Sequence, residues 1–160
     1  VIVDRGVDSK QTHELVKSLG VENKIQFIKG PLNSTELLHY YNLSDVIADQ
    51  FVLGSLGSVG WESFSCAKPL LAFVNEEQYG MLYGQSPPIA NASNPSQVAK
   101  QLETLKDDKT RNTIGKQSRE WIIKYHSPEL FVKKIKVIYD SILQNQQSRE
   151  IRNNLTKITI

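Results

Sequence analysis

One cysteine and one methionine stand among 160 residues. The lone thiol, Cys66, excludes a disulfide framework. It falls on the apolar side of a helical pattern with no histidine close in sequence, so a buried, inert thiol is expected rather than a nucleophile. His13, His39 and His126 are scattered without zinc-ligand spacing, and each reads as a surface or capping residue. An excess of either charge is also lacking. Lys and Arg number 19 against 17 Asp and Glu, and a net charge of +2 gives no field that points to nucleic acid. Lys133, Lys134, Lys136, Arg149, Arg152 and Lys157 carry most of the basic excess and read as a solvated helix face and a polar tail. No apolar run reaches the ~18 residues of a membrane-spanning helix. No stretch reads as a secretory signal, so the glycosylation sequons at Asn33, Asn42, Asn91 and Asn154 carry little weight. A cytoplasmic location is expected. Val1 opens a strand-like run without Met, so the chain is expected to be a piece of a longer protein.

What is present is globular. A hydrophobic fraction of 39% and a charged fraction of 22% suit one domain with a sizeable core. Val1–Val3, Lys24–Ile28, Val46–Ala48 and Leu70–Phe73 read as strands, and Pro87-Pro88-Ile89 leads to a short fifth. Helices intervene. Leu15, Val16 and Leu19 form a stripe stopped by Gly20. Asn33-Ser-Thr-Glu36 is a capping box that starts a helix through about Leu43. This alternation predicts an α/β fold with a Rossmann-like parallel sheet and helices on both faces. Its ligand belongs outside the carboxyl ends of the strands, where the loops Asp4–Asp8, Lys29–Pro31 and Asp49–Gly57 meet. C-terminal helices follow. Asn94-Pro95 opens one to about Lys106, a second spans Asp108–Tyr125 with Ile114, Trp121 and Ile122 inward, and Ser127-Pro128 opens a third. Its apolar residues Phe131, Ile135, Ile138, Tyr139 and Ile142 recur at helical spacing. No linker or internal repeat splits residues 1–143, and 144–160 reads as a polar, fraying tail.

The most informative run is Gly54-Ser-Leu-Gly-Ser-Val-Gly-Trp-Glu62-Ser-Phe-Ser-Cys-Ala-Lys-Pro69. It predicts a glycine-rich loop, a helix opening at Ser58-Val59 and running to Ala67, and a proline stop. A helix N-terminus carries free N–H groups and a partial positive charge, which suit phosphate. Gly57, Ser58 and Val59 would supply those groups, and Glu62 lies about one turn further on. A phosphate cradle with one carboxylate beyond it suits a nucleotide diphosphate whose ribose hydroxyls need an acceptor. The ordinary alternatives are that Gly54, Gly57 and Gly60 serve turns and packing and that Glu62 is a surface residue. Asp49 and Gln50 end the third strand at the ligand edge, as ligand contacts or as turn caps. Tyr40, Tyr41, Tyr79 and Tyr83 could stack on a base, although aromatics at helical spacing usually pack a core.

Five segments together resemble the C-terminal, donor-binding domain of GT-B glycosyltransferases of the family 4 type. They are Lys24–Gly30, Glu36–Asp49, Gly57–Pro69, Pro87–Ala99 and Asp107–Tyr139, in matching order over about residues 1–143. The resemblance implies the donor half of a retaining, hexosyltransferase-type enzyme that uses a nucleotide diphosphate sugar without metal or cofactor. Glu62 matches the glutamate that holds the ribose, and the backbone at Ile28, Lys29 and Gly30 matches the nucleobase contact. The family's other glutamate, which touches the donor sugar, falls at Gly54, so sugar contacts would have to come from the backbone, Asp49 or Gln50. The family's early Arg and Lys on the diphosphate would precede Val1, and Arg5 is not in their context.

No catalytic residue is assigned within these 160 residues. The acceptor is expected on a missing N-terminal domain, and the parent has the inner membrane face as an alternative location, by peripheral association. These residues alone are expected to transfer no sugar. Three other readings stay open: a non-catalytic nucleotide-sugar binding module, a sugar-nucleotide epimerase of similar shape, and a flavodoxin-like regulatory domain. The epimerase would need an acid/base cluster that these residues do not show, and the C-terminal helices suit the regulatory domain badly.

Overall fold

The computed structural model describes residues 1–144 and 148–158. They form two compact units, Val1–Tyr40 and Tyr41–Ile160. The boundary falls inside helix α2 (Ser34–Leu43), which is why no linker composition marks it.

In the first unit, β1 (Ile2–Asp4) pairs in parallel with β2 (Phe27–Lys29), Ile2 opposite Phe27 and Asp4 opposite Lys29. Helix α1 (Ser9–Ser18) makes the crossover. Only Val16 of its expected stripe is buried, while Leu15 and Leu19 stay exposed. Two short strands offer too little apolar surface to cover the whole stripe. The strand expected from Lys24 begins only at Phe27. A single 3-10 turn, Glu22–Lys24, takes the preceding backbone groups, with Lys24 N–H donating to Val21 O at 2.9 Å. The capping box forms as expected: Glu36 N–H donates to Asn33 Oδ1 at 3.0 Å, and Asn33 N–H to Glu36 Oε2 at 2.8 Å.

In the second unit, β3 (Ile47–Ala48), β4 (Leu70–Ala72) and β5 (Ala90–Asn91) form a parallel sheet in sequence order. Helices α3 (Ser58–Ser65) and α4 (Glu76–Tyr83) connect them. All of Leu70–Ala72 is buried, the pattern of a strand covered on both faces. Leu71, Ala90, Ala92 and Leu105 make one core cluster, against which Val46, Phe51, Val98 and Ile114 pack. The class is therefore mixed α/β, with parallel sheets flanked by helices, consistent with a Rossmann-like fold. The strands divide between two sheets rather than one.

Four helices follow among the described residues: α5 (Pro95–Thr104), α6 (Asp108–His126), α7 (Pro128–Leu143) and α8 (Ser148–Thr156). Asn94, Asp107 and Ser127 cap the first three through their side-chain oxygens. Trp121 and Ile122 are buried as expected. On α7 Leu130 and Ser141 are buried, Ile135 and Ile138 are half-buried, and Phe131, Tyr139 and Ile142 are exposed. Helical spacing defined an apolar face there but not which face packs. Ser148–Thr156, part of the expected tail, is a helix packed on α7, with Ile151, Asn154 and Leu155 half-buried one turn apart. Residues 145–147 of that tail lie outside the described residues. No described helix is long and apolar enough to cross a membrane.

Helix α3 ends earlier than the expected Ala67. Ala67 takes a left-handed conformation at φ 54°, with Ala67 N–H donating to Phe64 O and Lys68 N–H to Ser63 O, both at 3.0 Å. This is a Schellman motif built on alanine instead of glycine. Gly115 of α6 lies against it: a Cβ on Gly115 would sit 2.1 Å from Ala67 O. The absence of a side chain at Gly115 is what lets α6 reach the end of α3.

Candidate functional site at the N-terminus of helix α3

The loop from Asp49 to Gly57 is held by hydrogen bonds at several points. Gln50 accepts from Val52 N–H at 2.8 Å and Leu53 N–H at 2.6 Å through Oε1. Its Nε2 donates to Ser55 O at 2.6 Å and Phe73 O at 2.8 Å. An amide offers two donors and two acceptor positions, so the Gln50 side chain is fully used in shaping the loop. Gly54 O accepts from Asn75 N–H at 2.8 Å, and the buried Tyr79 hydroxyl accepts from Leu56 N–H at 2.9 Å. Helix α3 therefore begins from a fixed backbone.

Gly57 is the residue before that helix, extended at φ -87° and ψ -174°, and no described side chain caps it. The first helical bond is Trp61 N–H to Gly57 O at 3.3 Å, so Ser58, Val59 and Gly60 keep N–H groups without intrahelical partners. Gly57 and Ser58 are exposed and Val59 is half-buried. The position a Cβ would take on Gly57 lies 3.4 Å from Asp49 Oδ2. That oxygen is buried and has no hydrogen-bond partner among the described residues. A negative group beside a helix N-terminus is electrostatically favourable.

Glu62 follows on the same helix. It is exposed, and its Oε2 accepts a 2.7 Å hydrogen bond from the hydroxyl of buried Tyr41. Burial, and then the Glu62 carboxylate, push the Tyr41 phenol far above its ordinary range. Tyr41 thus remains a donor throughout physiological pH. Sequence reasoning placed Tyr41 among core or stacking aromatics and missed this partnership. Two residues 21 apart in sequence give no periodic sign of it.

Other glycines have packing roles. A Cβ on Gly60 would lie 3.1 Å from Leu56 Cδ2 and 3.3 Å from Leu70 Cδ2, so Gly60 admits neighbouring side chains. Gly54 is buried with φ +71°, and its Cβ would lie 3.3 Å from the Phe73 ring. Cys66 is half-buried, and burial raises its thiol above the usual value, which keeps it protonated and unreactive.

Ile28, Lys29 and Gly30 belong to the first unit. Ile28 is half-buried, Lys29 is exposed, and a Cβ on Gly30 would lie 2.9 Å from Val3 Cγ1. Gly30 therefore serves the close packing of β1 and β2. In the same unit Asp4 accepts from Ser9 Oγ and, at 3.0 Å, from His13 Nε2. The Ser9 hydrogen bond and then His13 hold its carboxyl below the usual range. His13 also stacks on Phe27, ring centres 3.8 Å apart. Asp8 precedes α1 without a side-chain cap bond.

Trp121 gathers Trp61, Phe64, Tyr83, Tyr125 and His126 around it, at ring-centre distances of 6.0, 5.9, 4.9, 4.8 and 5.6 Å. Trp121 was expected inward on the second C-terminal helix, and so among those helices. It instead joins α6 to α3 and α4. A cleft of about 430 Å³ lies between Gln85–Pro88 and the α6 residues Gln117, Glu120, Trp121 and Lys124, and none of the expected site residues lines it.

No family model matches the chain. The chain is 24% identical over 140 residues to the N-acetyl-alpha-D-glucosaminyl L-malate synthase of Bacillus anthracis, across 86% of its own length. This distant similarity suggests a glycosyltransferase family. The match spans about 36% of that relative's length.

Proposed function

We propose that this chain is the donor-binding half of a retaining GT-B glycosyltransferase that uses a nucleotide diphosphate sugar. The observation that carries the reading is the uncapped N-terminus of α3, followed by the oriented, exposed carboxylate of Glu62. The N–H groups of Ser58 and Val59, reached past Gly57, take the diphosphate. As the leaving diphosphate gains charge, fixed donors and the helix dipole stabilise it more than they stabilise the intact donor. Glu62 accepts the ribose hydroxyls in charge-assisted hydrogen bonds. Of the two residues that follow β3, Asp49 is assigned the sugar-side contact, because the Gln50 amide has no hydrogen-bonding capacity to spare. Ile28, Lys29 and Gly30 are assigned to the nucleobase on the family resemblance alone. The acceptor belongs to the remainder of the parent protein.

The test is a titration of uridine, guanosine and adenosine diphosphates into the chain, followed by amide NMR shifts. The expected result is a set of shifts at Gly57–Val59 and Glu62 for one nucleotide, lost in Glu62→Ala. Absence of shifts at millimolar concentrations of all three would overturn the reading.

Gly54 favours one rival, a non-catalytic nucleotide-sugar binding module, because a left-handed, buried glycine stands where the resemblance places a glutamate. Sugar transfer by the full-length parent would exclude that rival.

A further inference from the structure

We propose that Tyr41 is a positioning residue that fixes the Glu62 carboxylate for recognition of a vicinal diol, and so makes the site selective for ribonucleotides over 2′-deoxyribonucleotides. This rests on the donor-site reading above. The geometric basis is the 2.7 Å bond from the Tyr41 hydroxyl to Glu62 Oε2. The two ends of this bond differ in their surroundings. Tyr41 is 6% exposed and anchored in α2, whereas Glu62 is exposed on α3. An exposed glutamate ordinarily samples several rotamers, and fixing it on binding costs side-chain entropy. Here the buried phenol restrains it before any ligand arrives.

The hydrogen-bond capacity also suits a diol. A carboxylate has roughly four lone-pair sites. Tyr41 occupies one on Oε2, which leaves Oε1 whole and a further site on Oε2. Two neighbouring hydroxyls can donate to these sites, one to each oxygen. Tyr41 cannot serve as an acceptor switch or base in place of this role, because burial and the Glu62 charge keep its phenol protonated. Its part is to orient the group that meets the ligand.

The experiment compares the ribonucleoside diphosphate that shifts the spectrum with its 2′-deoxy counterpart, in the wild-type chain and in Tyr41→Phe. Phenylalanine keeps the buried ring and removes only the donor. The wild type is expected to prefer the ribonucleotide, and Tyr41→Phe to weaken ribonucleotide binding about three- to tenfold, the net worth of one hydrogen bond. Affinity for the deoxynucleotide should change less than about twofold in the same variant, within the usual independence of uncoupled contacts. A merely structural tyrosine would lower both affinities together. Retention of the ribose preference in Tyr41→Phe, with binding still sensitive to Glu62→Ala, overturns the role of Tyr41 and leaves the donor site standing. Absence of nucleotide binding in the wild type overturns the donor site and this assignment with it. Side-chain relaxation at Glu62 Cγ reads the tether in the wild type without ligand or variant. A rigid Cγ is expected, and one as mobile as the exposed glutamates Glu77 and Glu129 overturns the proposal.

Discussion

Gly54 offers a quantitative test, because Gly84 provides its control. The two glycines share a left-handed backbone, at φ +71° and +72°. A Cβ on Gly84 meets nothing within 4 Å. One on Gly54 meets the Phe73 ring at 3.3 Å and Asn75 at 3.5 Å. Gly84→Ala therefore carries backbone strain alone, about 1 kcal/mol. Gly54→Ala carries that strain plus displacement of Phe73, which adds about 1 kcal/mol as mild overpacking. For a chain of this size each kcal/mol lowers the melting temperature by about 2–4 °C. Circular dichroism melts should thus show a loss of about 3 °C for Gly84→Ala and about 6 °C for Gly54→Ala. Gly54→Glu should be worse than Gly54→Ala, because it also pushes a carboxylate toward a buried position. Equal losses for the two alanine variants would refute the crowding argument. A Gly54→Glu variant as stable as wild type would refute the larger conclusion, that this backbone excludes the glutamate the resemblance expects.

Gly115→Ala should cost more than ~3 kcal/mol, because its Cβ collides with backbone at Ala67 O and neither group can rotate away; a urea midpoint near wild type would contradict this. Ala67→Gly should stabilise the chain by about 1 kcal/mol by relieving the left-handed alanine, read as a higher urea midpoint. Desolvation, and then Lys134, lower the His126 pKa below its ordinary value of 6.5, so the unfolded chain binds the proton more readily. The associated stability is fully present above pH 6.5 and is lost as pH falls through the folded-state pKa. Melts between pH 7.5 and 5 should decline less steeply in His126→Gln than in the wild type, and parallel curves would remove His126 as a source.

Local chemistry made much of this fold legible. Asn33, Asn94 and Ser127 announced their helices because capping needs only residues within one turn. Helix α4 escaped notice although Asn75 and Gly84 bracket it, since only Tyr79 is buried and Gly80 interrupts its propensity. The strands are two or three residues long, too short for alternation to fix their ends. At the candidate site, Gly57, Ser58, Val59 and Glu62 were visible in one continuous run. The partner of Glu62 was not, because Tyr41 arrives from another helix, and hydrogen bonds across such separations leave no spacing to read. The exposed side of α7 shows the same limit: Phe131, Tyr139 and Ile142 align, but sequence spacing does not say what an aligned face meets.

Gln50 carries a constraint of chemical identity rather than of size. Glutamate has nearly the same shape, yet replacing one nitrogen with oxygen turns two donors into acceptors. The carbonyls of Ser55 and Phe73 would then face a like-charged oxygen instead of an N–H. Lysine or arginine would fail in the opposite sense, because Val52 and Leu53 need an acceptor. The loop before α3 thus admits at position 50 only a side chain that gives and takes in equal measure. Slow deamidation there would age the molecule at the place where its candidate phosphate cradle begins.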